Sequence, residues 1–123
     1  MEHNLPANCT VMVVDDEPDM RYLLRVILEA AGYGVVEASH GGAALEQMRR
    51  SPPQLVLTDL MMPRMGGGEL IERLRADEST KAIPIVIISS TRGEKGRADA
   101  MLAKPFDPDE LIVLVDRLTR QEG

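Results

Sequence analysis

A doubly wound α/β domain, with a five-stranded parallel sheet and helices on both faces, is predicted by three observations. Five short runs rich in Val, Ile and Leu alternate with stretches whose apolar residues recur at helical spacing. The first run, residues 10–14, is Val-rich rather than alternating, as in a buried parallel strand covered on both sides. With 123 residues the chain fits one such domain and has no room for a second of ordinary size.

The first run, residues 10–14, is Thr-Val-Met-Val-Val and stops abruptly at acids. From there Met20, Leu23, Leu24, Ile27, Leu28 and Ala31 share one helical face; Asp16, Glu17 and Pro18 suit the start of that helix and Gly32 its end. Residues 35–38 read as a second strand. Gly41-Gly42 opens a helix that turns Ala44, Leu45 and Met48 inward and stops at Pro52-Pro53. Residues 55–58 form a third strand ending in Asp59, and Leu70, Ile71 and Leu74 mark the core stripe of a third helix. Pro84 introduces the most apolar strand, Ile85-Val86-Ile87-Ile88, which runs into Ser89-Ser90. Residues 101–103 make a brief fifth strand before Lys104-Pro105. Asp107 suits the N-cap of a last helix carrying Leu111, Leu114, Val115 and Leu118. Residues 1–9 read as a leader, 10–120 as the domain and 121–123 as a tail.

One crossover is short. Only residues 91–100 separate the fourth strand from the fifth, and they carry Gly93 and Gly96, each costing about 1 kcal/mol inside a helix. With almost nothing apolar to bury, this segment is expected to form one helical turn at most and to be mobile.

Composition narrows the function. Fourteen Lys and Arg against twenty Asp and Glu give a formal charge of −6, which repels polyanions and argues against direct nucleic-acid binding. The single cysteine, Cys9, excludes an internal disulfide and a cysteine-based zinc site; it reads as a small apolar residue at the strand entrance. No apolar run approaches the roughly 18 residues of a membrane helix, and no signal peptide is recognisable, so no membrane partner and a cytoplasmic location are expected.

Ligands of an open parallel sheet bind beyond the carboxyl ends of its strands. Asp15, Asp16 and Glu17 emerge there after the first strand, Asp59 after the third, Ser89 and Ser90 after the fourth, and Lys104 after the fifth. Carboxylates packed together repel unless a cation intervenes. A hard divalent ion such as Mg²⁺, held by one or two of them, resolves the conflict. The same set suits an incoming phosphoryl group: the cation and Lys104 neutralise its oxygens, Ser89 donates a hydrogen bond, and a carboxylate can attack phosphorus.

At these residues the chain resembles a response-regulator receiver domain of two-component signalling, of the chemotaxis-regulator kind, over about residues 10–118. The resemblance is carried by Asp15-Asp16-Glu17-Pro18, by Asp59-Leu60-Met61-Met62-Pro63-Arg64-Met65-Gly66-Gly67, by Ser89-Ser90 and by Lys104-Pro105-Phe106. It implies a flavodoxin-like strand order 2-1-3-4-5 and phosphorylation of Asp59 by a histidine kinase or phosphotransfer protein. It further implies Mg²⁺ ligation by Asp16 and Asp59, by Asp15 largely through water, and by the Met61 backbone carbonyl. Ser89 and Lys104 would engage the phosphoryl oxygens, and the Lys104-Pro105 bond is expected to be cis. Such a domain is a signalling phosphoacceptor that assists its own phosphorylation and dephosphorylation rather than an enzyme in the usual sense; its downstream target is a protein that the sequence does not specify.

The resemblance is incomplete at two places. Family members usually have a full fourth helix, and an aromatic residue three positions before the lysine, where this chain has Met101. A switch through Ser89 and Met101 must therefore run differently from one that turns an aromatic ring, or be weaker. The shortened crossover also leaves open an alternative function, a receiver-fold protein-binding module that acts without phosphorylation. An aspartyl-phosphate phosphohydrolase fits poorly, because Met61 stands where a second acid is wanted. A flavin-binding role fails on the charge of Asp15-Asp16-Glu17. Gly66-Gly67-Gly68 lacks the Lys-Ser or Lys-Thr of a phosphate-binding loop and reads as a loop and helix start. His3 and His40 have no partner pattern and are expected at the surface. The eight methionines are read as core or loop packing, with Met61, Met62 and Met65 as a possible adaptable contact surface.

Overall fold

The chain runs β1 (Thr10–Val14), α1 (Pro18–Ala30), β2 (Gly34–Ala38), α2 (Gly41–Arg50), β3 (Leu55–Thr58), α3 (Gly67–Ala76), β4 (Ile85–Ser89), β5 (Ala100–Ala103) and α4 (Pro108–Arg120). This is the order in a computed structural model, which describes residues 9–90 and 93–120. The strands form one parallel sheet in the order β2-β1-β3-β4-β5. Fold class and strand order are those the sequence and its family resemblance imply. The leader through residue 8, including His3, and the tail from residue 121 lie outside the described residues.

The strands supply both faces of the core. On one face Val11, Val13, Leu55, Leu57, Val86 and Ile88 meet Leu24 and Leu28 of α1 and Leu111 and Val115 of α4. On the other, Met12, Val14, Val56, Ile85 and Ile87 meet Ala44 and Met48 of α2 and Leu70, Ile71 and Leu74 of α3. Alternate residues of each strand thus feed opposite layers, which is why the central strands β1, β3 and β4 are buried on both faces, whereas the edge strand β2 carries Glu37.

Local signals set the ends of the helices. Gly32, at φ 101°, lets the Gly32 and Tyr33 N–H groups return to the carbonyls of Glu29 and Leu28, closing α1. Asp107 caps α4, its Oδ1 accepting the Asp109 N–H at 2.9 Å. His40 corrects its expectation as an unpartnered surface residue: it is half-buried and its Nδ1 accepts the Ala43 N–H at 3.1 Å, doing for α2 what Ser or Asp usually does.

The fourth crossover contains no helix among its described residues, 93–99. A single turn, with the Ala98 N–H on the Lys95 carbonyl, matches the expected limit. The segment does bury something apolar, since Ala98 enters the second-face core. The place of a helix is taken by polar stitching from Arg75, at the end of α3. Its guanidinium donates to the carbonyls of Lys81, Ile83 and Arg97 and to Oδ2 of Asp99, at 2.8–3.0 Å. Asp99 in turn accepts the Ile85 N–H. The part of the segment formed by Thr91 and Arg92, for which mobility was also expected, lies outside the described residues.

Candidate functional site

The carboxyl ends of β1, β3, β4 and β5 bring Asp15, Asp59, Ser89 and Lys104 to one rim. The ladder extends past the strands: the Asp15 N–H reaches the Ala38 carbonyl and the Asp59 N–H the Val14 carbonyl, each at 3.1 Å. Both carboxylates therefore project from fixed backbone. Asp15 Oδ1 accepts the Glu17 N–H at 2.9 Å, and Asp59 Oδ1 accepts the Met61 N–H at 3.3 Å. The Lys104 N–H is held by the Ser89 carbonyl at 3.0 Å, and the Lys104-Pro105 bond is cis as expected. From there the ammonium lies 3.3 Å from Asp59 Oδ2 and 3.6 Å from Asp15 Oδ2.

Carboxylate oxygens of Asp15, Asp16 and Asp59 all lie within 4.8 Å of one another. Asp15 is buried, Asp59 half-buried and Asp16 exposed. Burial pushes the Asp15 carboxyl above its usual range; the Glu17 N–H and the Lys104 charge pull the other way, while Asp59 and Asp16 add to the rise. The sequence argument rested on mutual repulsion, yet removal from water is the larger cause.

Three acids facing one ammonium leave the rim with excess negative charge if all are ionised. Oxygen donors of this kind, one exposed and two set back, suit a hard divalent cation that keeps part of its water shell. The residues present therefore fit Mg²⁺.

The remaining predicted positions fall around this centre. Ser89 is buried at the end of β4, in register with Ala103. Met61 places its N–H on Asp59 but exposes 67% of its surface. Met101 is half-buried on β5 opposite Ile87 and packs against the second-face core. The neighbouring Met62 and Met65 also pack against that core, Met65 lying across Gly41, where an added Cβ would sit 2.7 Å from its sulfur.

Two supporting residues escaped the sequence reading. Gly67 begins α3 so close to the loop that a Cβ there would lie 2.2 Å from the Asp59 carbonyl oxygen; the Gly66-Gly67-Gly68 run hinted at a loop but not at this approach. Arg21, on the first turn of α1, donates from Nη1 to the Asp15 carbonyl at 2.7 Å. Its helical position was legible, but its backbone target was not.

Comparison with known proteins agrees with this geometry. The model of the response regulator receiver domain matches residues 11–116. The chain is 36% identical over 121 residues to the phosphate regulon transcriptional regulatory protein PhoB of Pseudomonas aeruginosa, covering 93% of this chain and 53% of that protein. It is 39% identical over 115 residues to the sensor histidine kinase TmoS of Ectopseudomonas mendocina, covering 88% of this chain and 12% of that one. Among solved structures, the response regulator TrrA of Thermotoga maritima, in complex with Mg²⁺ and BeF, superposes with a TM-score of 0.82 at 31% identity, covering 89% of this chain and 97% of that one. The chain spans about half the length of PhoB. Among the described residues, no helix is long and apolar enough to cross a membrane.

Proposed function

Given that the chain belongs to the response regulator receiver family, we propose that Asp59 accepts a phosphoryl group from a histidine kinase or phosphotransfer protein, in a Mg²⁺-dependent reaction that switches the protein surface. The observation that carries this reading is the Lys104 ammonium lodged between Asp59 and Asp15, at the point where three carboxylates converge. Receivers of this family are signalling phosphoacceptors, and the acidic pocket fits a phosphorylation site.

In the proposed reaction a carboxylate oxygen of Asp59 attacks phosphorus in line, forming an O–P bond as the P–N bond to the donor imidazole breaks. The Met61 N–H holds the other carboxylate oxygen, so the nucleophile is presented in one orientation. Lys104 follows the oxygens of the transferred group, exchanging its contact with Asp59 for one to phosphoryl oxygen. Ser89, at the end of β4, donates its hydroxyl to a second oxygen. Asp15, Asp16, Asp59 and the Met61 carbonyl would hold Mg²⁺, which when bound neutralises charge on the phosphoryl oxygens. The added charge then draws Ser89, and Met101 across the β4–β5 pair repacks against the second-face core. This is how the surface near the shortened crossover changes for a protein target.

Intact mass after incubation with Mg²⁺ and acetyl phosphate tests the reading. One added phosphoryl group, absent with chelator and in Asp59→Ala, is expected. No adduct under conditions that modify a known receiver would overturn it in favour of a binding module that works unphosphorylated.

A further inference from the structure

The rim is supported by a side chain that touches none of its carboxylates. Arg21 leaves the first turn of α1 with 18% of its side chain exposed and donates from Nη1 to the Asp15 carbonyl at 2.7 Å and from Nε to Glu37 Oε1 at 2.9 Å. Glu37 is fixed in turn: Arg25 Nε holds its other carboxylate oxygen at 2.7 Å, and Gln47 Nε2 holds its backbone carbonyl at 2.7 Å. The peptide that Arg21 grips joins Asp15 to Asp16, where the chain turns off β1. Rotation of that peptide would swing both carboxylates relative to Asp59.

We infer that Arg21 is a positioning residue for the acidic rim: held by Glu37, it fixes the Asp15–Asp16 peptide and so sets the spacing of the carboxylates that receive the cation. The inference rests on the function proposed above. The action is geometric: the ion-pair partner of the Asp15 carboxylate is Lys104, whereas Arg21 reaches the Asp15 backbone carbonyl. The Arg21 charge is itself matched by Glu37, so its contribution at Asp15 is a directed hydrogen bond rather than a nearby cation. Partners that orient metal ligands from outside the coordination sphere are commonly worth about 10–100-fold in affinity.

Arg25 provides an internal control, since it shares Glu37 with Arg21 but pairs otherwise with Glu29. The test compares wild type, Arg21→Met, Arg21→Lys and Arg25→Ala. Mg²⁺ affinity is measured by calorimetric titration of the unphosphorylated proteins, with urea unfolding in chelator as a separate readout. Arg21→Met is expected to weaken Mg²⁺ binding by about 10-fold. Arg21→Lys should recover little, because one ammonium cannot reproduce the two-partner fork. Arg25→Ala should weaken Mg²⁺ binding clearly less than Arg21→Met, because Arg21 keeps its bond to the Asp15 carbonyl and Gln47 still holds Glu37, while losing comparable stability. Wild-type affinity in a folded Arg21→Met or Arg21→Lys, or equal losses in the Arg21 and Arg25 variants, would overturn the inference and leave the proposed function standing. A wild type that neither binds Mg²⁺ nor takes a phosphoryl group would overturn both.

Discussion

At the amino ends of the strands Arg75 spends its guanidinium on three carbonyls and the Asp99 carboxylate, whereas at the carboxyl ends Asp15, Asp16 and Asp59 lie around one ammonium, Lys104. Near the same amino ends the Tyr33 hydroxyl donates to Asp116 and contacts Thr119, tying the start of β2 to the last turns of α4. Burial and Asp116 hold that phenol well above its usual pKa, so it stays protonated. One end is closed by contacts internal to the chain. The other gathers three acids with Lys104 as the ammonium beside them.

Breaking the closed end should cost the most. Arg75→Ala strands three carbonyls and removes the charge partner of Asp99, with an expected loss of about 3 kcal/mol in urea unfolding; Arg75→Lys should restore less than half of it. Loss of well under 1 kcal/mol would mean that the short crossover is held by Ala98 and the β4–β5 ladder instead. Next comes Tyr33→Phe, which deletes a hydrogen bond to a carboxylate and should cost about 1.5 kcal/mol by the same measurement.

At the open end the sign reverses. Asp15→Asn keeps an acceptor for the Glu17 N–H but removes a buried charge, and in chelator it should raise stability by about 1 kcal/mol. A destabilised variant would show that Lys104 compensates Asp15 fully.

The smallest effects lie in the pH profile, and they separate two carboxylates whose pKa values are displaced in opposite directions. Asp15 has a raised folded pKa, so its charged form costs stability above that value, and the cost disappears as pH falls towards the ordinary carboxylate range. Glu37 has a lowered one, caused first by its hydrogen bond from Arg25. Its contribution is present above the unfolded value of about 4.3 and is lost as pH falls through the depressed folded value. In chelator, Asp15→Asn should flatten the gain on mild acidification. Glu37→Gln should flatten the loss below about pH 4 and cost about 0.5 kcal/mol at neutral pH, since the pair is partly exposed. Identical profiles for wild type and both variants would contradict these assignments.

The contrast between the two ends also explains what the sequence revealed. Asp15, Asp16, Asp59 and Lys104 are legible because strand periodicity ends abruptly at each of them, and a parallel sheet aligns strand ends. The helices are legible through apolar spacing and through Gly32 and Asp107. Arg75, Arg21 and Gly67 are not, because each acts on a backbone carbonyl brought near by tertiary closure, and neither composition nor period records which carbonyl that is. His40 was misread for a related reason: an imidazole nitrogen can cap a helix, but histidine is not among the residues that usually announce a cap.

The most direct test of the open rim is urea unfolding of the wild-type protein in chelator and in Mg²⁺ at ten times its dissociation constant. A cation that binds only the folded chain should add about 1.4 kcal/mol and shift the midpoint upward. The same addition should have less effect on Asp15→Asn. An unchanged wild-type midpoint across the Mg²⁺ range would contradict the account, because the carboxylates at the carboxyl ends would then be compensated by the chain itself.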